Sequence, residues 1–364
     1  MTKILGFGEV MLRLCPSGFK RFRQVVPGSM DATFGGGEAN VCASLAMFGD
    51  EASYLTALPS NAITESFFAQ MRGLGVDVSK VLIKENSRMG IYFVEAGANQ
   101  RASNVIYDRD YSAISMTGPE EYDFQKALDG IKHVHITGIT PSLSSKAFLS
   151  TLELIKLAKT SGVKVSCDLN YRKKLWDWHD LMKKNELAEY CMAQIIPFVD
   201  LIIANEEDAY DVFGIKAEHA DLTKGHINAA AYISVAEQLI ERFPNVSQVA
   251  ITLRESISAS HNNWGAMLFD KASRKAHFAP LDADGEYSPY QIRDIVDRVG
   301  GGDSFGAGLI HALYSDDCAA PEKAIRFAVA ASCLKHSIKG DFNYIDRSEV
   351  ISLMDGDASG RVKR

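Results

Sequence analysis

The apolar positions of the chain follow two different periods. Short apolar runs predict buried strands. They lie at residues 3–8, 54–58, 134–137, 163–168, 200–204 and 246–253. Between them, apolar residues recur every third or fourth position, which predicts amphipathic helices, most clearly over 145–160, 304–314 and 320–336. Strands that alternate with helices predict an α/β fold, a doubly wound and mostly parallel sheet flanked by helices.

Two segments, 12–33 and 89–115, lack helical spacing. The first is rich in Arg, Phe, Val, Pro and Gly and predicts strands and turns; the second alternates apolar and polar residues with period two. We predict that they pair as a small β-sheet lid over a cleft. Residues 215–230 look like an irregular insertion. Because the chain has no internal repeat and no low-complexity linker, we predict a single α/β domain over residues 1–364.

Composition and charge narrow the possible partners. Hydrophobic residues make up 46% of the chain and charged residues 23%, which is enough for a sizeable core. The net charge of −7 and the lack of a Lys/Arg block argue against a nucleic-acid partner. The sequence has no apolar run of eighteen residues and enters a strand pattern without a secretory leader, so no membrane partner is expected. Six widely spaced cysteines are typical of reduced thiols, and we expect a cytoplasmic protein.

A glycine stretch at 297–303, Asp-Arg-Val-Gly-Gly-Gly-Asp, is the strongest candidate for chemistry. Gly300, Gly301 and Gly302 precede a predicted helix that begins near Asp303. A helix start has unpaired N–H groups and a partial positive charge, and glycines let an anion approach them. A carboxylate beside such an anion pocket suits phosphoryl transfer. The alternative interpretation is a glycine-rich helix start that an acid merely caps.

A second glycine turn lies near the N-terminus, in Phe-Gly-Gly-Gly-Glu-Ala-Asn at 34–40. Gly35 and Gly36 would let a ligand approach the start of the following helix. Asn40, one turn into that helix, both donates and accepts hydrogen bonds and so suits sugar hydroxyls. A glycine turn with a buried Asn is the alternative interpretation.

Two arginines and two tyrosines are further candidates. Tyr92, Tyr107 and Arg109 belong to the predicted lid, and Arg172 follows the strand at 163–168. The planar guanidinium of Arg109 suits a carboxylate, although an isolated arginine is often only a surface charge. Arg172 stands at the carboxyl end of a predicted parallel strand, where open α/β sheets bind ligands. We therefore expect Arg172 near a substrate anion.

The two glycine motifs, about 260 residues apart and in this order, resemble those of the ribokinase-like (PfkB) carbohydrate kinases. Tyr107-Asp-Arg109 and Asp168-Leu-Asn-Tyr-Arg172 point to the 2-keto-3-deoxygluconate kinase branch. The resemblance covers nearly the whole chain, which contains no Gly-x-x-x-x-Gly-Lys-Ser/Thr P-loop.

The resemblance implies transfer of the ATP γ-phosphoryl group to a sugar hydroxyl. Asp303, at an ordinary pKa, would accept the hydroxyl proton, and the backbone of 300–303 would form the anion hole. Mg²⁺ would be held mainly by phosphate oxygens and water, and no residue of the chain is predicted as a metal ligand. The implied substrate site comprises Gly35, Gly36, Asn40, Tyr92, Tyr107, Arg109, Arg172 and Asp303. The implied nucleotide site comprises Asn205, Asp208, Thr252, Arg254, Gly300, Gly302 and Asn343.

Some positions depart from the family pattern. Asp208 replaces a Glu that lies near the metal in relatives, and its side chain is one methylene group shorter. Arg254 stands where many relatives have a small residue, and Gly301 stands where they often have Ala. The family has a monovalent-cation site that includes the position of Asp297. In this chain Val299 stands near it in place of a frequent Thr. We therefore do not predict a cation at Asp297.

Arg109 and Arg172 together favour a substrate that carries a carboxylate, because each can pair with it bidentately. Together with the resemblance to the 2-keto-3-deoxygluconate kinase branch, this leads us to predict phosphorylation of 2-keto-3-deoxygluconate to its 6-phosphate. A kinase for fructose, 5-keto-2-deoxygluconate or a nucleoside is one alternative, and a non-catalytic sugar- or nucleotide-binding protein on this fold is another. Apolar lid edges invite pairing, so we expect a homo-oligomer that associates through the lid.

Overall fold

The computed structural model describes residues 2–205, 207–216 and 229–357. Most of the predicted insertion at 215–230 lies outside the described residues. The strands, in chain order, are β1 Lys3–Phe7, β2 Met11–Cys15, β3 Asp31–Gly35, β4 Glu51–Leu55, β5 Ala57–Leu58, β6 Leu82–Ile83, β7 Gly90–Glu95, β8 Asn104–Asp108, β9 His133–Thr137, β10 Lys164–Asp168, β11 Leu201–Ala204, β12 Gln248–Ser258, β13 His261–Asp270, β14 Lys275–Ala279 and β15 Tyr290–Ile292.

The α-helices, in chain order, are α1 Phe22–Val25, α2 Gly37–Phe48, α3 Ala62–Gly73, α4 Phe124–Ala127, α5 Ser145–Thr160, α6 Lys184–Ile195, α7 Asp208–Phe213, α8 Ala229–Arg242, α9 Gly301–Leu313, α10 Pro321–Lys335 and α11 Arg347–Met354. The helices predicted from apolar spacing, α5, α9 and α10 among them, are present within three residues of the expected ends.

The main sheet has the strand order β14-β13-β12-β11-β10-β9-β1-β4, with β15 paired to β13. The pairs from β4 across to β12 are parallel, and β13 pairs antiparallel with β12, β14 and β15. All residues of β9 and β11 are buried, as parallel strands covered on both faces require. The predicted doubly wound, mostly parallel sheet is confirmed.

A second, four-stranded sheet has the order β3-β2-β7-β8 and uses the two segments predicted to form the lid. Its central strands, β2 and β7, pair in parallel, while the outer pairs are antiparallel. The small separate sheet is therefore confirmed. The sequence predicted only strands and turns over 12–33, but Phe22–Val25 forms one helical turn. The N–H of Arg21 donates to Gln24 Oε1 at 2.7 Å and stabilises the start of that turn.

The hydrophobic core lies on both faces of the main sheet. Ile4 of β1 packs on one face with α2, α9 and α10, while its neighbour Leu5 packs on the other face with α5 and α6. Small side chains let α9 lie close to α2 and α10, as the Ala-rich sequence of α10 predicts. This packing fixes the start of α9 at the carboxyl edge of the sheet.

Candidate active site

A cleft of about 430 Å³ lies at the carboxyl edge of the main sheet, below the lid. This is where an open, doubly wound sheet is expected to bind ligands. Its lining comes from the loops after β10 and β11, from β12, from the start of α9, and from β7 and β8 of the lid. The predicted site residues that line it are Tyr92, Tyr107, Arg172, Asn205, Asp208, Thr252, Arg254, Gly300, Gly301, Gly302 and Asp303.

The start of α9 has a backbone that only glycine tolerates. Gly300 has φ +82°, and a Cβ there would lie 2.2 Å from the carbonyl oxygen of Asp341. The N–H of Ser304 donates to Gly300 O at 2.9 Å, which closes the first turn of the helix. Gly302 has open space on its side-chain face and is exposed. The first-turn N–H groups therefore stand at the wall of the cleft, with the positive end of the helix dipole.

Asn40 joins the two glycine turns at Asp303. Its Nδ2 donates to Asp303 Oδ2 at 2.7 Å, and its Oδ1 accepts from the N–H of Gly36 at 3.3 Å. The chain is close-packed at Gly36, since a Cβ there would lie 2.1 Å from the carbonyl oxygen of Glu9. Asn40 was expected to contact a sugar hydroxyl, whereas in the structure both ends of its amide already orient the site. Gly35 and Gly36 lie behind the carboxylate and outside the cleft lining.

Burial raises the pKa of Asp303 to about 6, and the hydrogen bond from Asn40 opposes part of that rise. The sequence led us to expect an ordinary pKa for this residue. The difference arises because Asp303 is half-buried in a cleft rather than exposed at a helix end. A carboxylate with this pKa is ionised at neutral pH and is a stronger base than an exposed one.

A second carboxyl group lies behind Asp303. Glu38, fully buried in the first turn of α2, accepts from the N–H of Thr137 at 3.0 Å and from its hydroxyl at 2.8 Å. The hydroxyl of Thr140 donates to the same oxygen at 3.2 Å. Burial raises the pKa of Glu38 to about 7. Glu38 ties α2 to the end of β9 and so fixes the helix that carries Asn40.

Cationic side chains line the floor of the cleft. Arg172 is exposed there and makes no ion pair with any residue the structure describes. Arg254 is also exposed. Arg298 donates to the carbonyl oxygens of Ser258 and Ala259 at 3.2 and 2.8 Å, and burial lowers its pKa. These three charges favour an anionic ligand.

Arg109 differs from the expectation. Its Nε donates to Glu9 Oε2 at 2.8 Å, only 6% of the residue is exposed, and its guanidinium lies over the ring of Tyr107. It does not line the cleft. The guanidinium of Arg109, which was predicted to be free for a substrate carboxylate, is therefore already paired with Glu9. The pair forms because the chain after β1 places Glu9 beside the end of β8.

Tyr92 and Tyr107 stack on the underside of the lid, with ring centroids 6.2 Å apart. The hydroxyl of buried Tyr92 donates to Asp341 Oδ2 at 2.5 Å, so its polar end is used within the chain. Tyr107 is exposed to the cleft. The two rings form an apolar wall rather than a pair of free hydroxyl groups.

Asp208 holds two loops of the cleft in place. Its oxygens accept from the N–H groups of Tyr171 and Asn205, both at 3.0 Å. Asn205 Oδ1 in turn accepts from the N–H of Asp208, the first residue of α7, at 3.0 Å. Burial raises the pKa of Asp208. The carboxylate that was predicted in the nucleotide site is thus engaged with the backbone.

Thr252 and Asn343 complete the predicted nucleotide set. Thr252 is buried at the cleft, with its hydroxyl 3.5 Å from Ala204 O. Asn343 lies outside the cleft lining. Its Oδ1 accepts from Ile345 N–H at 3.0 Å, and its buried Nδ2 has no hydrogen-bond partner among the described residues.

Sequence reasoning assigned no role to several residues of the cleft. Asp168 and Asn170 stand in the same Asp-Leu-Asn-Tyr-Arg motif from which only Arg172 was chosen, and the rule about strand ends applies equally to all three. Burial, and then the neighbouring charge of Asp208, raise the pKa of Asp168 well above its usual value. Arg298, inside the glycine motif, was missed as well.

Comparisons with known proteins show which family the chain resembles. Residues 1–343 match the family described as "pfkB family carbohydrate kinase". A 2-dehydro-3-deoxygalactonokinase of Haloferax volcanii is 26% identical over 359 residues, 99% of this chain and 98% of that protein. A 2-dehydro-3-deoxygluconokinase of Thermoproteus tenax is 25% identical over 350 residues, 94% of this chain and 90% of that protein.

Among solved structures, the 2-dehydro-3-deoxygluconokinase of Thermotoga maritima is 42% identical, with a TM-score of 0.86. The match covers 98% of this chain and 100% of that one. The ribokinase-like fold expected from the glycine motifs is confirmed.

Proposed function

This chain belongs to the pfkB family of carbohydrate kinases, and from that premise we propose that it transfers the γ-phosphoryl group of ATP to the 6-hydroxyl of 2-keto-3-deoxygluconate. The observation that carries this proposal is the position of Asp303, which Asn40 orients at the glycine-lined start of α9. A base and an anion-binding backbone then face the same cleft. That is the arrangement that phosphoryl transfer to an alcohol needs.

In the proposed reaction, a carboxylate oxygen of Asp303 accepts the proton of the sugar hydroxyl. The hydroxyl oxygen forms a bond to the γ-phosphorus, the bond from that phosphorus to the β,γ-bridging oxygen breaks, and ADP leaves with the electron pair. Because Asn40 holds the carboxylate through its Nδ2, the base needs little reorganisation when the substrate arrives. Its pKa of about 6 keeps it ionised at neutral pH.

The N–H groups at the start of α9 would stabilise the charge on the transferred phosphoryl group. One preorganised donor of this kind typically contributes about 10²–10³ in kcat. Gly300 and Gly302 leave the backbone uncovered, so that phosphate oxygens could reach it. Arg254 and Arg298 add positive charge on the nucleotide side of the cleft.

The donor set of the cleft fits a magnesium–ATP complex. Burial, and then the charges of Asp208 and Asp303, raise the pKa of Asp168, and among the described residues no three acidic, His or Cys side chains lie together as a metal site, so phosphate oxygens would supply most of the ligands. A divalent cation reverses such a rise, and carboxylate oxygens, phosphates and water are the ligands that Mg²⁺ prefers. Bound Mg²⁺ would neutralise phosphate charge, and Asp168 is the side chain that would lie beside it.

The choice of an acidic sugar rests on Arg172. It is an exposed cation at the substrate side of the cleft and has no ion pair among the described residues, so it is available to a carboxylate. Arg109 is paired with Glu9 and supports the lid instead. Two relatives are named as kinases of 2-dehydro-3-deoxygluconate and 2-dehydro-3-deoxygalactonate, which supports the same preference. The galacto epimer is therefore the second candidate substrate.

A coupled assay of ADP release tests this proposal. The substrates to compare are 2-keto-3-deoxygluconate, its galacto epimer, 5-keto-2-deoxygluconate, fructose and a nucleoside. We expect the highest kcat/KM for one of the two 2-keto-3-deoxy acids. Equal rates on fructose would contradict the acidic substrate, and ATP binding without turnover on any sugar would favour a non-catalytic binding protein.

We also propose that copies of this chain associate through the lid. Phe22, Val26, Phe93 and Ile106 line an open apolar depression on its outer face, and Val26 is 55% exposed. Exposed apolar patches next to sheet edges are typical of association surfaces. A monomeric mass by light scattering would contradict this.

A cytoplasmic location is a further proposal. It is supported by the free thiols of all six cysteines, since disulfides form in oxidising compartments. Among the described residues, no helix has both the length and the apolar character needed to span a bilayer.

A further inference from the structure

Lys335, the last residue of α10, is a buried lysine whose charge no reaction step uses. It is 0% exposed. Its Nζ donates to three backbone carbonyl oxygens, those of Val299 at 2.9 Å, Ile338 at 3.2 Å and Gly340 at 2.8 Å. Lysine is almost never fully buried without such compensation. All three donors of the ammonium group are thus satisfied by carbonyl oxygens that converge on one point.

These carbonyl oxygens, defined here as the carbonyl cage, belong to two loops that shape the anion hole. Val299 directly precedes Gly300, the residue at the start of α9. Ile338 and Gly340 belong to the loop whose next residue, Asp341, lies against Gly300. The side chain of Lys335 reaches the same place, since its Cε lies 3.2 Å from the position of a Cβ on Gly300. The ammonium group therefore lies directly behind the first turn of α9.

Charged side chains surround the carbonyl cage. Asp297 accepts from the N–H groups of Val299 and Gly340, both at 3.1 Å, and so joins the same two loops. Arg13, in the lid strand β2, donates to Asp297 and to Asp341 at 2.7 Å each. Two cations and two carboxylates balance in this cluster. Burial lowers the pKa of Lys335, while Asp297 and Asp341 oppose that change.

Three carbonyl oxygens that point at one another repel unless a cation lies between them. In potassium channels, rings of backbone carbonyl oxygens bind a monovalent cation by replacing its shell of water. An ammonium ion is close to potassium in size and charge. In this chain the ammonium group is part of the lysine side chain, so no free ion loses translational entropy when the site is filled.

We propose that Lys335 is a positioning residue for the anion hole, and that its ammonium group takes the place of a monovalent cation from solution. The proposal rests on the kinase activity proposed above. It follows that turnover by the unmodified enzyme is independent of potassium. It also follows that removal of the side chain leaves a carbonyl cage that an external ion of matching size can fill.

The test compares the unmodified enzyme with Lys335→Ala and Lys335→Met, assayed in potassium, ammonium or tetramethylammonium chloride at equal ionic strength. We expect the unmodified enzyme to turn over equally in all three salts. Lys335→Ala should lower kcat about 100-fold, as the loss of one anion-hole donor typically does, and should change KM less. Potassium or ammonium should restore much of that loss, and tetramethylammonium, which is too large for the carbonyl cage, should not. Lys335→Met keeps the space filled with an apolar chain and should resist rescue.

Lys323→Ala is the matched control, because Lys323 is exposed on the same helix and donates to the carbonyl oxygen of Asp317. It should behave as the unmodified enzyme in every salt. Stimulation of the unmodified enzyme by potassium would overturn the proposal. Equal loss in Lys335→Ala in all three salts would also overturn it, because a purely structural lysine gives no selective rescue.

Melting temperatures separate this proposal from the proposed function. Potassium and ammonium, but not tetramethylammonium, should raise the melting temperature of Lys335→Ala, and no such selectivity should appear in the unmodified enzyme. This measurement needs no sugar and no turnover. If no sugar is phosphorylated, the proposed function fails while ion-selective stabilisation of Lys335→Ala still supports the carbonyl cage. Should Lys335→Ala not fold, the salt response of the unmodified enzyme decides, and potassium dependence overturns the proposal.

Discussion

The side-chain amide of Asn40 donates a 2.7 Å hydrogen bond to the carboxylate of Asp303, across about 260 residues of sequence. This contact brings the start of α2 and the start of α9 to one wall of the cleft. The same contact occupies Oδ2 of Asp303 with a hydrogen bond from Asn40. Among the described residues, no other side chain donates a hydrogen bond to the Asp303 carboxylate.

The acid limb of the wild-type pH profile should report Asp303. Burial raises its pKa to about 6, so the ionised fraction falls as the pH drops through that value. We expect kcat/KM for the sugar to decline below about pH 6 and to stay level above it until another group titrates. A limb near pH 4, the usual range of an aspartate, would contradict the burial of the base.

Replacement of Asn40 by alanine should shift the acid limb of the pH profile of kcat/KM. A hydrogen bond to the charged form lowers a carboxyl pKa, so Asn40→Ala should raise the pKa of Asp303 further and shift the limb to higher pH. We also expect a drop of about tenfold or more in kcat from the misplaced base. The pH dependence of kcat/KM measures the shift.

Asn245→Ala is the matched control, because Asn245 is a half-buried asparagine remote from the cleft. Its Nδ2 donates to the carbonyl oxygens of Ile196 and Val199 at 2.8 and 2.7 Å. This change should lower the melting temperature and leave the pH profile in place. A profile that is identical in Asn40→Ala and the wild type would contradict the orienting role of Asn40.

Arg172 and Arg109 should respond differently to truncation. Arg172→Ala removes an exposed cation of the cleft and should raise KM for a sugar acid more than for its neutral analogue. Arg109→Ala leaves the buried carboxylate of Glu9 without its partner and should cost about 3–5 kcal/mol of unfolding free energy. Steady-state kinetics on both sugars and chemical denaturation measure the two effects. Equal KM changes on both sugars for Arg172→Ala would mean that Arg172 only holds structure.

Gly300→Ala should damage both fold and activity. The positive φ costs an alanine about 1–2 kcal/mol, and the methyl group would meet the carbonyl oxygen of Asp341 at 2.2 Å. The loop must therefore shift, and the anion hole with it. Gly302→Ala is the control for stability, because a Cβ there meets no atom within 4 Å. Thermal unfolding should separate the two variants, and equal melting temperatures would contradict the tight packing at Gly300.

The sequence predicted the frame of the molecule and the place of the site for a physical reason. Strand and helix periods are local, so β9 to β12 and the helix α5 could be predicted directly, and the carboxyl ends of parallel strands meet at one edge. The glycines of α9 were visible because three of them stand in a row before a predicted helix start, where N–H groups are unpaired.

What the sequence could not predict depends on contacts between distant residues. Glu9 and Arg109 are about 100 residues apart, and nothing near either one indicates the ion pair that takes Arg109 out of the cleft. Lys335 in the last turn of α10 has the pattern of an ordinary exposed lysine at a helix end. Only the approach of the loops at Val299 and Gly340 makes it a buried ammonium. The parallel pairing of β2 with β7 likewise has no local signal.

The central claim is that Asp303 is the base beside an anion-binding helix start, and Asp303→Asn tests it most directly. The amide matches the carboxylate in size and still accepts a hydrogen bond from Asn40, but it cannot take up a proton. ADP release in the presence of 2-keto-3-deoxygluconate, measured with equilibrium binding of ATP, should show turnover lowered about 10²–10⁴-fold and ATP affinity unchanged. Turnover that persists in Asp303→Asn would contradict the account.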